Sequence, residues 1–213
     1  RVWSPGGKTI AFASGRFGNF DVYKVAVIGG VPQRLTTNSA KETPWTFTPD
    51  GKSILFTARI QDPASSVLFP KTSMTELYSV SVEGGRPQQV LATPAEEISF
   101  VGNTGTFLYQ DCKGGENMWR KHHTSSITRD IWMYDGAKHT KLTDFKGEDR
   151  TPRVSADGKT VYFTSERDGS FNVYSFPIDN PSKVTRVTKH KTHPVRFLTI
   201  ADNGTLCYGY DGD

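Results

Sequence analysis

The sequence predicts an all-β fold made of consecutive β-propeller blades, and three observations lead to that prediction. A Gly-containing turn followed by Thr or Ser, two apolar residues and an aromatic residue occurs five times. The glycines of these turns stand at positions 7, 51, 105, 158 and 204, so the spacings are 44, 54, 53 and 46 residues. Such intervals are typical of four-stranded blades of about 40 to 50 residues. No apolar stripe persists at helical spacing.

Each complete repeat predicts four antiparallel strands in a constant order. The first strand ends in a tight turn such as residues 49–52, where Asp-Gly favours a hairpin because Gly adopts positive φ at no steric cost. The second strand is the apolar and aromatic one. The third alternates with a period of two, as Tyr23, Val25 and Val27 show. A short outer strand such as residues 33–36 completes the blade.

The repeats divide the chain into four complete blades and the first two strands of a fifth. The predicted blades cover approximately residues 1–42, 43–96, 97–150, 151–192 and 193–213 of one propeller segment. Because propellers avoid free sheet edges by closing a ring, we expect this chain to be part of a larger ring.

The connections between the second and third strands differ in length among the blades. Blades one and four have six residues there, whereas blade two has 18 (residues 58–75) and blade three has 20 (residues 110–129). In a propeller these connections emerge on one face, together with the links between blades. The two long loops therefore indicate a recognition rim or a lid, or else surface excursions that the scaffold tolerates.

The blade-three loop carries the densest group of candidate binding residues. These are Trp119, Arg120, His122, His123 and Arg129, with Lys121 among them. An aromatic ring beside cations suits a peptide carboxylate or an acidic partner, through charge-assisted hydrogen bonds and stacking. The alternative is a tryptophan buried under the loop beside solvated charges.

Other chemistry is not supported by the residue patterns. Asp111 or Cys112 with a loop histidine would offer metal ligands, but the spacing is diagnostic of no metal, so we predict neither a metal nor a cofactor. Gly-x-Ser-x-Gly is absent, and His190 and His193 lie in a link rather than on a helix. We therefore predict no catalytic residue in this chain. An enzyme of the central channel would need acidic residues or histidines on the inner strands. Those strands instead carry mostly apolar residues, which we expect between blades: Trp45, Phe47, Ile98, Phe100, Val154 and Phe197.

Charge and hydropathy exclude two classes of partner. The formal net charge is +4 and the pI is about 9.0, but Lys and Arg are scattered through all blades rather than gathered in a stripe, which argues against nucleic acid. No apolar run approaches the ~18 to 20 residues of a membrane span, so we expect no membrane insertion.

Two segments resemble known families. The unit at residues 3–12, closed by residues 21–23 and 34–36, resembles the WD-like repeats of TolB-type propellers. The blade-three segment at residues 109–117 resembles the amino-terminal propeller of bacterial tricorn-type serine peptidases, and this closer resemblance covers the whole chain. Gly6 departs from the repeat, which usually has Asp there, and this softens the first hairpin turn.

The resemblance implies a fragment of a six- or seven-bladed ring that filters or channels peptides toward a separate catalytic region. The expected partners are peptides or proteins, with a peptidase domain downstream in the full-length protein and a location in the periplasm or cell envelope. The parent protein would then be a tricorn-type serine peptidase. The alternative function is a TolB-like envelope scaffold for protein–protein interaction.

Overall fold

The structure is a computed structural model that describes residues 1–60, 74–115, 117 and 119–211. The chain forms two compact units, Arg1–Glu96 and Glu97–Asp213. The described residues contain strands and turns but no helix, and every strand pair is antiparallel. The all-β prediction is therefore confirmed. No helix in these parts of the chain has the length and apolar character needed to cross a membrane.

The first unit holds two four-stranded sheets whose strands pair in chain order. The first sheet consists of β1 (Val2–Trp3), β2 (Thr9–Phe17), β3 (Asn19–Ala26) and β4 (Gln33–Arg34). The second sheet consists of β5 (Thr43–Phe47), β6 (Ser53–Ala58), β7 (Glu76–Ser81) and β8 (Gln88–Leu91).

The second unit holds two further four-stranded sheets and one pair of strands, again in chain order. The third sheet consists of β9 (Ala95–Phe100, which begins at the end of the first unit), β10 (Phe107–Asp111), β11 (Ile131–Tyr134) and β12 (His139–Lys141). The fourth consists of β13 (Asp149–Val154), β14 (Thr160–Ser165), β15 (Asn172–Pro177) and β16 (Thr185–Arg186). The pair is β17 (Arg196–Ile200) and β18 (Leu206–Gly209). These are the four complete blades and the partial fifth that the repeats predict.

The core forms because alternate strand residues point to the same side. In the first unit Ile54 and Phe56 of β6 pack with Tyr78 and Val80 of β7 and with Phe47, all of them buried. The inner-strand residues Phe47, Ile98 and Val154 are each less than a tenth exposed, as expected for packing between blades.

A cross-strand aromatic pair recurs between the second and third strands of three blades. The pairs are Phe12 with Tyr23, Phe56 with Tyr78, and Phe163 with Tyr174, at ring-centroid distances of 5.8, 5.8 and 6.0 Å. In each pair the two residues are direct partners in the ladder, which is where side chains of neighbouring strands touch.

The connections between second and third strands depart from prediction in blade one. There β2 reaches Phe17 and β3 begins at Asn19, so most of the expected six-residue connection is strand, turned at Gly18 with φ 108°. In blade four, β14 ends at Ser165 and β15 begins at Asn172, which leaves the predicted six residues. The long blade-two loop falls mainly on residues 61–73, outside the described residues.

A threonine after the outer strand accepts a backbone N–H from the third strand in three blades. The donor and acceptor pairs are Val22 with Thr36, Ile131 with Thr143, and Val173 with Thr188, at 2.9, 3.0 and 2.9 Å. Thr36 donates its own hydroxyl to Glu42, and Thr188 donates to Asn172. These bonds tie each third strand to the link that leads into the next blade.

A polar residue recurs at the start of the third strand of the blades, and acceptance of a backbone N–H is one role that such a residue can have. Asn172 does so, with the N–H of His190 at 2.7 Å. Asp21 and Asp130 instead bind cations: Arg34 lies 2.6 Å from Asp21, and Lys141 lies 3.1 Å from Asp130. A carboxylate forms an ion pair with a cation on the neighbouring strand, whereas the amide of Asn172 is neutral and forms none.

Candidate functional site

The blade-three loop, between β10 and β11, is closed at its base by ion pairs. Lys113 lies 2.5 Å from Asp130 and 3.2 Å from Asp111, and it also donates to the carbonyl of Thr128 at 2.6 Å. Asp111 accepts the indole N–H of Trp132 at 3.0 Å. Burial raises the pKa of Asp111 above its ordinary range. These contacts hold the two ends of the loop together.

Two of the predicted binding residues are buried near this base. The Arg129 backbone N–H donates to Glu148 at 3.1 Å, and its Nη1 lies 3.5 Å from the same carboxylate. Arg150 donates to Glu148 as well, at 2.8 Å. The Nε2 atom of His123 lies 2.8 Å from the hydroxyl of Ser125. Arg129 and His123 are therefore buried residues that hold the loop in place, and they are not part of its exposed surface.

Trp119 is exposed, with 55% of its surface accessible. The alternative interpretation, in which this tryptophan is buried under the loop, is therefore wrong. Its ring meets Phe197 edge to face at 6.1 Å, and the Arg196 guanidinium lies 5.1 Å from its centre. Arg196 also donates to the Trp119 carbonyl at 3.4 Å. We call Trp119, Arg196 and Phe197 the aromatic patch.

Phe197 lies outside the core, contrary to the expectation that it would pack between blades. It is 68% exposed, and its φ is 56°, in the left-handed region that non-glycine residues rarely adopt. A β-bulge between Arg196 and Thr199 interrupts the ladder here and changes the alternation of the strand. The bulge therefore accounts for the exposed ring.

Arg196 is fixed between two rings. Its guanidinium lies 5.2 Å from the centre of Phe171 as well as 5.1 Å from that of Trp119. Burial lowers the pKa of Arg196, and the nearby charge of Arg150 lowers it further, but an arginine remains protonated at neutral pH. The patch thus combines a held cation with two exposed aromatic surfaces.

The remaining predicted residues, Arg120 and His122, are both exposed on the same loop. The Arg120 N–H donates to the Asn117 carbonyl at 3.1 Å. His122 has φ 53°, and its N–H donates to the buried carboxylate of Glu166 at 2.6 Å. Glu166 thereby ties the blade-three loop to the blade-four connection.

A cleft of about 560 Å³ adjoins this loop. Lys121 and His122 line it from the loop, and its other ionisable residues are Asp168, Arg186, Lys189, His190 and Lys191. Cations dominate this lining, and we call it the basic cleft.

The sequence matches the family described as the tricorn protease N-terminal beta propeller domain over residues 2–213. The chain belongs to this tricorn-protease propeller family. No curated protein matched the sequence.

Solved structures share the fold of this tricorn-family chain. A structure titled as a putative TolB from Agrobacterium tumefaciens aligns with a TM-score of 0.73 at 22% identity, over all of this chain and 69% of the other. TolB from Acinetobacter baumannii aligns at 0.68 and 20% identity, over 99% of this chain and 51% of the other. The tricorn protease aligns at 0.52 and 14% identity, over 97% of this chain and 24% of the other. The chain thus spans about half of that TolB and a quarter of the tricorn protease.

Several residues of the site in this tricorn-family chain were missed by sequence reasoning. Arg196 and Phe197 belong to the first strand of the partial fifth blade, and Lys189 and Lys191 belong to the link before it. They lie about 70 residues from the loop in the sequence, and only the folded chain brings them together. Their grouping has no local sequence signal beyond the high density of lysine and histidine at 189–193.

Proposed function

We propose that this chain is a non-catalytic propeller module that binds peptide substrates and gates their passage to a peptidase domain elsewhere in the full-length protein. The family match supports this proposal, and the aromatic patch is the observation that carries it. A larger peptidase as the parent protein is part of the same proposal.

The aromatic patch has the chemistry of a peptide-binding surface. Two exposed rings in contact offer apolar area to a side chain of the peptide, and rigid aromatic residues lose little conformational entropy on binding. The Arg196 guanidinium is already held against Trp119 before any ligand arrives. A surface that is ordered in advance binds at a smaller entropic cost than one that must be ordered by its ligand.

A pair of tryptophan variants tests this function. Labelled peptides of neutral sequence are titrated with the protein, and binding is followed by fluorescence anisotropy. Trp119→Ala should weaken binding by about tenfold, since truncation of a central aromatic residue commonly costs an interface this much. Trp3→Ala is the matched control, because Trp3 is similarly exposed at 59% but lies in the first unit. Equal affinity of Trp119→Ala and wild type would contradict the proposed site.

A TolB-like scaffold that binds a protein partner in the cell envelope is the second candidate function. The TolB structures share the fold over nearly the whole chain, and the same aromatic patch would suit a protein surface. Affinity capture from an envelope extract distinguishes the two functions. A stable protein partner that is lost with Trp119→Ala, combined with no peptide binding, would favour the scaffold.

A further inference from the structure

We infer that the basic cleft selects peptides with acidic side chains, so that the proposed gate discriminates by charge. The inference rests on the proposed peptide-binding function and assigns a second contact region beside the aromatic patch. Lys121 and His122 follow Trp119 by two and three residues, so a peptide on the patch lies next to the cleft.

The charges in the cleft are poorly compensated. Lys121, Lys189 and Lys191 are exposed, and the described residues provide none of them with an ion pair. Arg186 lies 3.3 Å from Asp168, the acidic residue among those that line the cleft. Asp168 also accepts the Tyr174 hydroxyl at 2.8 Å, so its carboxylate is already shared. Asp168 therefore compensates Arg186 in part, and the three lysines of the cleft are left without an ion pair among the described residues.

A second recess, of about 450 Å³, has more of its positive charge compensated than the basic cleft has. That recess contains Lys113 and Lys141, which lie 2.5 and 3.1 Å from the carboxylate of Asp130. Lys141 also lies 3.7 Å from Asp144. Lys113 and Lys141 are thus neutralised within the protein, whereas Lys146, which also lines the recess, has no ion pair among the described residues. In the basic cleft no lysine is neutralised in this way by the described part of the chain, so all three are left to attract an anion from solution.

The arrangement fits several carboxylates along an extended chain better than one planar group. Three flexible lysines present separate point charges across the cleft, and the Arg186 fork is partly used by the Thr188 carbonyl at 2.8 Å. The Nε2 atom of His190, which also lines the cleft, is 3.2 Å from the Tyr208 hydroxyl, and its ring stacks on Tyr210 at 4.0 Å. Arg186 and His190 are thus already engaged by protein groups, and the lysines are the residues of the cleft that remain available to a ligand.

Three labelled peptides that differ only in charge test the inference by fluorescence anisotropy. They share one aromatic residue and carry Glu, Gln or Lys at the remaining variable positions. The wild-type protein should bind the Glu peptide about tenfold more tightly than the Gln peptide, since each exposed ion pair adds a small attraction and several of them act together. High salt should reduce this preference, because exposed charges are screened.

Charge-reversal variants assign the preference to the cleft. Lys189→Glu/Lys191→Glu should abolish it, while Lys138→Glu/Lys183→Glu should retain it, since these exposed lysines lie in strand-to-strand turns outside the cleft and carry the same change in net charge. Asp168→Asn removes the acidic residue of the cleft and should strengthen binding of the Glu peptide. A misfolded variant would lose binding, so tighter binding of the Glu peptide by Asp168→Asn cannot result from damage to the fold.

The outcomes separate this inference from the proposed function. Equal binding of Glu and Gln peptides, with both weakened by Trp119→Ala, would overturn the inference and leave the function standing. If the preference for the Glu peptide is abolished by Lys189→Glu/Lys191→Glu but binding is unchanged in Trp119→Ala, the inference is supported and the aromatic patch is not the peptide site. Binding of inorganic phosphate without binding of the Glu peptide would overturn the inference, and failure of all three peptides to bind would overturn both.

Discussion

The buried carboxyl of Glu42 makes the stability of the first unit depend on pH. It is fully buried in the link between β4 and β5, accepts the Val22 N–H at 3.3 Å, and pairs with the Thr36 hydroxyl. Its other oxygen, Oε1, has no hydrogen-bond partner within the described residues. Burial raises the pKa of Glu42 from its ordinary value of 4.5 to about 7, and the nearby Asp21 adds to the rise.

Replacing Glu42 should remove a pH dependence of stability. Because its pKa is higher in the folded protein than in the unfolded chain, the stabilisation is complete below about pH 4.5 and is lost as the pH rises to about 7. The free energy of unfolding of the wild type should therefore fall by about 3 kcal/mol relative to that of Glu42→Gln across this range. Urea unfolding at several pH values measures the difference.

The control for this residue is Glu83→Gln, a change at an exposed carboxyl in the same unit. Its stability should follow that of the wild type at each pH. Parallel pH profiles for Glu42→Gln and wild type would show that Glu42 does not titrate in this range.

Among the elements, the first hairpins of blades two and four turn at an Asp-Gly pair. Asp50 and Asp157 each accept the N–H of the lysine two residues later, at 3.1 and 3.0 Å, and Gly51 and Gly158 have φ of 70° and 73°. Blade one keeps the equivalent Gly7, at φ 64°, but has Gly6 in place of the aspartate. Its turn therefore lacks the side-chain acceptor that the other two possess.

Gly6→Asp should stabilise the first unit by about 1 kcal/mol. The new carboxylate would accept the Lys8 N–H, and the loss of glycine would reduce the conformational entropy of the unfolded chain. A Cβ atom at Gly6 meets nothing within 4 Å, so the change fits. Urea unfolding gives the effect, and Gly6→Ala separates the entropy contribution from the hydrogen bond. A destabilised Gly6→Asp would show that this turn differs from those at Asp50 and Asp157.

The elements that sequence could predict are those with local signals. Repeated turns and period-two alternation gave strands close to the observed ones, because both arise from backbone geometry within a few residues. The β-bulge at Phe197 has no such signal, so its ring was assigned to the core. The extension of β2 to Phe17 was also missed, since a six-residue stretch that is a loop in blade four is mostly strand in blade one.

At the scale of the whole molecule, sequence predicted the loop of the candidate site but not the residues that complete it. Trp119, Arg120 and His122 are exposed as a binding surface requires, whereas His123 and Arg129 are buried in contacts that hold the loop. A list of loop residues cannot distinguish these roles, because the distinction depends on Glu148 and on Arg196 of the partial fifth blade. The site is assembled from three segments of the second unit that lie far apart in the chain.

We propose that this tricorn-family chain binds peptides without cleaving them. Incubation of the purified protein with a mixed peptide library, followed by affinity recovery and mass spectrometry, tests this proposal. We predict that a subset of peptides, enriched in acidic residues, is recovered with the protein at unchanged mass. Recovery of no peptide above background, or conversion of peptides to shorter products by this chain alone, would contradict the account.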